Sequence, residues 1–433
     1  MKNIAMALVA FCLSGGINAQ TWERVISNGN GSSFLDQLQN AGASVVDNQG
    51  FIHFQSANRL VGANSPILYH LYTLNSNNVF PWIWGLDDGR AGEGCGVFAR
   101  NGNRVDCFKG PGQSFPPRAA FRLVRRVHGQ LDWSLDLAPT IVALDGLEQT
   151  SSGDTFAITR DDSGQAAMIQ ISGFNNVTTT ILGNPCGAGD YRFAALKPPE
   201  SFIQWGRLAF ICSQNGREGL VKQFIITRTG SLLSNGETSL PTVSSINKVL
   251  FNGQEEAFIL TDRRTVFLAS TQGFSFPVYQ LSGPRDINEI LRTSEGFAAI
   301  YVSRRENDDS GVLWSNSYGD IYAQATSSWV NQHDSKFAVT STDLVVAAGT
   351  LNFSQSNAIG VSAATPILDA VVFSQDGKTY ELPSVAMLAD EHNNENFNIS
   401  VSAPENVVIL SNTPEQPFGI LIRQFDLAEF VSH

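Results

Sequence analysis

Charge is scarce in this chain. Only 16% of its 433 residues are Asp, Glu, Lys or Arg, and among these the acids lead by 40 to 28, giving a formal net charge of −12. A surplus of that sign disfavours nucleic acid and anionic membrane surfaces, whose phosphates reward clustered Lys and Arg. Histidine is rarer still: His53, His70, His128, His333, His392 and His433 lie far apart, with no second ligand at the spacing that zinc sites use. No Gly-x-Ser-x-Gly elbow, phosphate-binding loop or dinucleotide fingerprint occurs, so those chemistries have no anchor. Beyond residue 19 no apolar run reaches the roughly 20 residues that span a bilayer.

What is present begins with a leader. Lys2 supplies a positive start, Ile4 to Leu13 are mostly apolar, and Gly15 to Ala19 end in a small residue suited to signal peptidase. The expected division is a signal peptide over residues 1–19 and one domain over 20–433, secreted or periplasmic. Cys12 follows Phe11 rather than a small residue, which argues against a lipid anchor there.

Four cysteines remain after the leader: Cys95, Cys107, Cys186 and Cys212. An even number in an exported chain suggests two disulfides, and the absence of Cys-x-x-Cys argues against a redox role. If Arg100-Asn101-Gly102 forms a three-residue hairpin loop, Cys95 faces Cys107. That register predicts a Cys95–Cys107 bond and, by elimination, Cys186–Cys212.

A repeat organises the rest. Ile246-Asn247, Leu250, Ala257 and Ile259 recur 41 residues later as Ile287-Asn288, Leu291, Ala298 and Ile300. Each copy reads as apolar strand, polar turn, apolar strand, and a strand repeat of about forty residues is the signature of a propeller blade. Units of this kind can be followed along the chain. The expected fold is therefore all-β, a β-propeller of antiparallel strands with seven blades, or eight if the irregular first units are counted separately. Trp22 to Ile26 is the strand expected to close the ring. Ser32 and Ser33 predict a short helix to Asn40. Asp161-Asp162-Ser163-Gly164 and Asp308-Asp309-Ser310-Gly311 predict equivalent hairpin turns.

Two resemblances follow. Ser315 to Tyr322 and Ser374 to Tyr380 resemble degenerate Asp-box turns of sialidase-like propellers, although Ser317 replaces the Asp in the first and the second is one residue short. The opening Trp22 to Ile26, the segment Asn48 to Phe54, and the cores Gln254 to Phe258 and Glu295 to Ala298 resemble uncharacterised secreted bacterial propeller-like repeat proteins. That resemblance implies a fold and export, and no activity.

Candidate binding residues are few. Arg118, Arg122, Arg125 and Arg126, with His128, form a basic cluster that could grip a carboxylate or sulfate, because guanidinium forks match planar oxyanions. The plainer alternative is a strand pair with outward arginines. Trp82 and Trp84 share one strand face and could stack on sugars or pack between blades. No cofactor is expected, although the run Asp390 to Asn396 offers oxygen ligands that could suit calcium. The expected function is an exported binding scaffold for a protein or polysaccharide. The alternative is a glycoside hydrolase or lyase, whose paired carboxylates would meet at the channel mouth.

Overall fold

A computed structural model describes residues 130–428 with short interruptions, of which 352–366 and 388–396 are the longest; before residue 130 it describes the strands alone. The leader, the 390–396 run, Arg118 and His128 lie outside the described residues.

Among the described residues the regular elements are 33 strands, and they group into eight sheets. The chain opens with β1 (Gln20–Ser27), which belongs to the last sheet. Sheet 1 sets β2 (Leu35–Leu38) and β3 (Ser44–Val46) end to end against β4 (Phe51–Arg59), followed by β5 (Ile67–Asn75) and β6 (Trp82–Trp84). Sheet 2 holds β7 (Cys95–Asn101), β8 (Arg104–Lys109), β9 (Arg122–Val127) and β10 (Gln130–Asp136). Sheet 3 holds β11 (Ile141–Gln149), β12 (Thr155–Asp161), β13 (Ala166–Ser172) and β14 (Asn176–Gly183). Sheet 4 holds β15 (Asp190–Lys197), β16 (Gly206–Gln214), β17 (Arg217–Ile226) and β18 (Leu232–Ser239). Sheet 5 holds β19 (Ile246–Phe251), β20 (Glu256–Thr261), β21 (Thr265–Ser270) and β22 (Ser275–Gln280). Sheet 6 holds β23 (Glu289–Arg292), β24 (Gly296–Tyr301), β25 (Ser310–Asn316) and β26 (Ile321–Ser327). Sheet 7 holds β27 (Ser335–Val339), β28 (Val345–Leu351), β29 (Ile367–Phe373) and β30 (Thr379–Ala386). Sheet 8 holds β31 (Phe397–Ser402), β32 (Asn406–Thr413) and β33 (Gly419–Asp426), and β1 completes it.

First strands touch first strands around a closed cycle, from β3 to β7, β11, β15, β19, β23, β27 and β31, and from β31 back to β3. The ring therefore has an inner wall of first strands. The expectation favoured seven units; the described strands make eight sheets, because the irregular first two are separate. Closure is as expected: β1 pairs antiparallel with β33, Trp22 opposite Gln424.

Burial explains the strand sequences. Second strands lie between two neighbouring sheets near the axis, so β24 is buried at all of its residues, Gly296 to Tyr301, and is rich in small ones. Ala257, Ala298 and Ala347 hold this position in three successive sheets, each with no exposed surface. The core is accordingly a series of layers between sheets. Phe258 and Phe297 meet between sheets 5 and 6 with ring centroids 4.7 Å apart, and Trp314 is buried between sheets 6 and 7.

The Asp-box-like segments are hairpin turns joining third and fourth strands. Asn316 accepts the Gly319 N–H at 3.0 Å and donates to Asp320 O at 3.0 Å, and Ser374 makes the same pair with Gly377 and Lys378. Gly319 has φ +91°, and a Cβ there would collide with Val278 on β22. Glycine is thus required twice, by conformation and by contact with the preceding sheet.

Three local expectations fail. Where a helix was expected to Asn40, β2 pairs with β4 as Leu35 to Arg59, since a strand there extends the inner edge of sheet 1. The Cys95 hairpin turns on two residues, with Asn101 opposite Arg104, so Cys107 faces Phe98 and Cys95 faces Lys109. The side chains of Cys95 and Cys107 lie outside the described residues, whereas Cys186–Cys212 is a disulfide with Cα atoms 5.5 Å apart. The two Asp-Asp-Ser-Gly segments are not equivalent. Asp161 accepts backbone N–H groups of Ser163 and Gln165 in a turn, while Ser310 and Gly311 are buried in β25. There Ser310 Oγ accepts the Ser303 N–H and donates to Trp329 O.

Candidate binding site at one mouth of the channel

Antiparallel order puts the turns between second and third strands, and the entries to the first strands, at the same end of the ring. At that end the first strands of sheets 5 to 8 enclose a cavity of about 470 Å³. Lys248 on β19, Asn288 and Glu289 at the start of β23, Lys336 on β27 and Asn398 on β31 line it, and Arg263 overhangs it from the β20–β21 turn. Leu291, Phe337 and Ile399 add apolar wall.

The 41-residue repeat builds this site. Lys248 and Glu289 occupy equivalent positions of the two copies and form an ion pair at 3.2 Å. Asn247 and Asn288 are the preceding equivalent pair. Asn247 Oδ1 accepts the Arg263 N–H at 2.7 Å, and Asn288 Oδ1 accepts the Val302 N–H at 2.7 Å. Asn398 Oδ1 accepts the Ile399 N–H at 2.7 Å. With their carbonyl oxygens engaged, Asn288 and Asn398 have NH₂ groups left to donate.

Arg263 is held in a costly conformation. Arg264 N donates to Thr261 O at 2.9 Å, closing a turn whose central residues Asp262 and Arg263 both have positive φ, 48° and 54°. Turns of this kind favour Asn-Gly, and an L side chain in the left-handed region costs about 1–2 kcal/mol. The surroundings fix it nonetheless: Ile287 N donates to Arg263 O at 2.6 Å, and Asp262 Oδ1 accepts the Ser245 N–H at 2.9 Å. Among the described residues no acidic side chain pairs with the Arg263 guanidinium.

Elsewhere on the inner wall, Arg192 of β15 is bound by Glu218, which accepts from Nε at 2.9 Å, and that bond holds the Glu218 carboxyl below its usual range. Glu148, on β11 toward the opposite mouth, is exposed on one side. Desolvation by the surrounding protein nevertheless pushes its carboxyl up to about 7.

The residues singled out from the sequence lie elsewhere. Arg122, Arg125 and Arg126 are on β9, the third strand of sheet 2, off the inner wall. Arg125 is buried, stacks over Trp133 with 5.1 Å to the ring centroid, and donates to Gly153 O at 2.8 Å and Thr155 Oγ1 at 2.6 Å in sheet 3. It ties two sheets together. The side chains of Arg122 and Arg126 lie outside the described residues, as do those of Trp82 and Trp84, whose strand β6 is the outermost of sheet 1. Among the described residues, no group of three or more His, Cys, Asp or Glu could hold a metal ion. No helix there is long and apolar enough to cross a membrane.

Comparison with solved structures places this ring among β-propellers. The WD40 domain of SCAP from fission yeast superposes with a TM-score of 0.50 at 11% identity, covering 94% of this chain and 99% of that one. A eukaryotic initiation factor structure follows with a TM-score of 0.43 at 11% identity over 90% and 92% of the two chains. A chain of the mitotic checkpoint complex gives 0.44 at 8% over 97% and 99%. No family model and no curated protein sequence matches the chain. The chain is an all-β propeller of antiparallel sheets.

Proposed function

We propose that this protein is an exported binding scaffold that takes its ligand, a polysaccharide or a protein segment, at the channel mouth formed by sheets 5 to 8. The observation that carries this reading is the cavity itself. In a chain of net charge −12 it gathers Lys248, Arg263 and Lys336 around one carboxylate, Glu289, already paired. Export is supported by the leader-like first 19 residues and by the Cys186–Cys212 bond, which suits an oxidising compartment.

Hydrolysis of a glycosidic bond by the usual route needs two carboxyl groups facing each other across the substrate. The described wall of this cavity offers one, which favours binding over cleavage. The test is to fill the site: Asn398→Trp in the oxidised chain from Gln20 onward, screened by thermal shift against soluble polysaccharides and by pull-down from the native host. The parent protein should gain a ligand-dependent rise in its midpoint, or a captured partner, that the variant loses while keeping its own unliganded midpoint. Capture that survives the tryptophan would move the site away from the channel.

A further inference from the structure

The chemistry of the cavity is one-sided, and this narrows the ligand class on the channel reading above. Most of the polar side chains it presents are hydrogen-bond donors. Arg263 carries five donors and Lys248 and Lys336 ammonium groups, of which Lys336 also donates to Phe397 O and lies over the Phe397 ring, while Asn288 and Asn398 have given their oxygens to backbone N–H groups. The exceptions are Glu289, which Lys248 already partners, and the Ser335 hydroxyl, which both donates and accepts. A donor-rich, cationic cavity selects an acceptor-rich, anionic ligand.

Arg263 gives a second, independent indication. Glycine would satisfy its left-handed turn at no conformational cost, yet a long cationic side chain stands there. The backbone is gripped from both sides, by Asn247 on its own sheet and by Ile287 on the next. A strained residue that its surroundings over-determine, with its side chain at the rim of a cavity, points to use of that side chain.

We propose that the cavity binds a carboxylate-bearing sugar, a uronic acid residue, with Arg263 and Lys336 on the carboxylate. The NH₂ groups of Asn288 and Asn398 meet ring and hydroxyl oxygens, Glu289 accepts a sugar hydroxyl, and Leu291 and Phe337 offer apolar wall to the ring. About 470 Å³ falls in the range of small-ligand sites.

The experiment is calorimetric titration of the oxidised chain at low salt with three probes: a galacturonic acid dimer, the neutral galactose dimer, and a short poly-glutamate peptide. The parent should bind the uronate dimer at least tenfold more tightly than either other probe. Arg263→Gly should weaken that binding at least tenfold without lowering the thermal midpoint, because glycine suits the turn. Lys336→Met is the second variant and should also weaken it. Uronate binding unchanged in Arg263→Gly overturns the proposal, as does a preference for poly-glutamate or no binding of any probe. Equal binding of the two sugars, lost in Asn398→Trp, overturns the anionic assignment while leaving the channel reading intact.

Discussion

Asp343, in the first hairpin turn of sheet 7, accepts the backbone N–H of Ser294 in the corresponding turn of sheet 6 at 2.8 Å, and also its hydroxyl. The same clasp recurs around the ring. Glu200 of the sheet 4 turn accepts Ser151 N–H from sheet 3 at 2.7 Å, and Glu405 of sheet 8 accepts the Ser341 hydroxyl from sheet 7 at 2.5 Å. Sheets 3 and 4, 6 and 7, and 7 and 8 are thus hooked together through their first turns by a carboxylate, at the end opposite the cavity.

Asp343 also holds φ +64° and lends its carbonyl to Trp314 Nε1 at 2.9 Å. Asp343→Ala removes charge-assisted bonds and leaves a less tolerant residue in a left-handed turn, so it should cost about 2–4 kcal/mol in denaturant unfolding. Asp343→Asn keeps the conformational tolerance and should cost less. Equal midpoints for parent and Asp343→Ala would show the clasp to be idle.

Arg125 separates a structural arginine from a ligand-binding one. Its removal takes a buried donor from Gly153 O and Thr155 Oγ1 and uncovers Trp133. Arg125→Met should therefore lower stability by about 2–4 kcal/mol. The folded variant should bind channel ligands as the parent does. A lost ligand with unchanged stability would restore the basic cluster of sheet 2 as a binding surface.

Glu148 predicts a pH dependence. Its folded carboxyl is raised to about 7 from 4.5 by desolvation, so the folded state holds the proton more tightly than the unfolded chain. Stability is then lost as pH climbs from about 4.5 through about 7, and the penalty persists above that. Glu148→Gln should raise the thermal midpoint relative to the parent at pH 8 and leave it level at pH 4. A constant offset between the two proteins across that window would mean the carboxyl titrates as an ordinary one. Because the side chain is partly in solvent, the size of the effect is damped.

Much of this architecture is legible in the sequence. The 41-residue match marks sheets 5 and 6, and Trp22 to Ile26 closes the ring, as expected of the first strand of a propeller. Strand register and local caps are less so. Ser32-Ser33 read as a helix start, yet pairing to β4 overrides that weak preference in β2. The Cys95 hairpin turns between Asn101 and Arg104 rather than over Arg100 to Gly102, and the later, tighter turn sets Cys107 opposite Phe98 instead of Cys95. The cavity is not legible as a cluster because its residues come from four sheets, one or a few from each, whereas the arginines of β9 stand together in sequence. A signal was nonetheless present. Positions one repeat apart face each other across neighbouring inner strands, and Lys248 and Glu289 are such a pair with opposite charge.

That equivalence yields the last prediction. Both partners of the Lys248–Glu289 bridge are partly in solvent, with side-chain exposures of 39% and 28%, so the pair contributes little to stability, about 0–1 kcal/mol. Its effect on the site should be larger, because Lys248→Glu puts two carboxylates beside Arg263 and Lys336 and reverses the local field. That single variant should weaken anionic ligands at least tenfold with little change in unfolding midpoint. Adding Glu289→Lys restores one charge of each sign across the same gap and should recover most of the affinity, the signature of coupled neighbours in a double-mutant cycle. Additive losses in the double variant would mean that the two side chains act separately, and that the repeat brings them together without making them a unit.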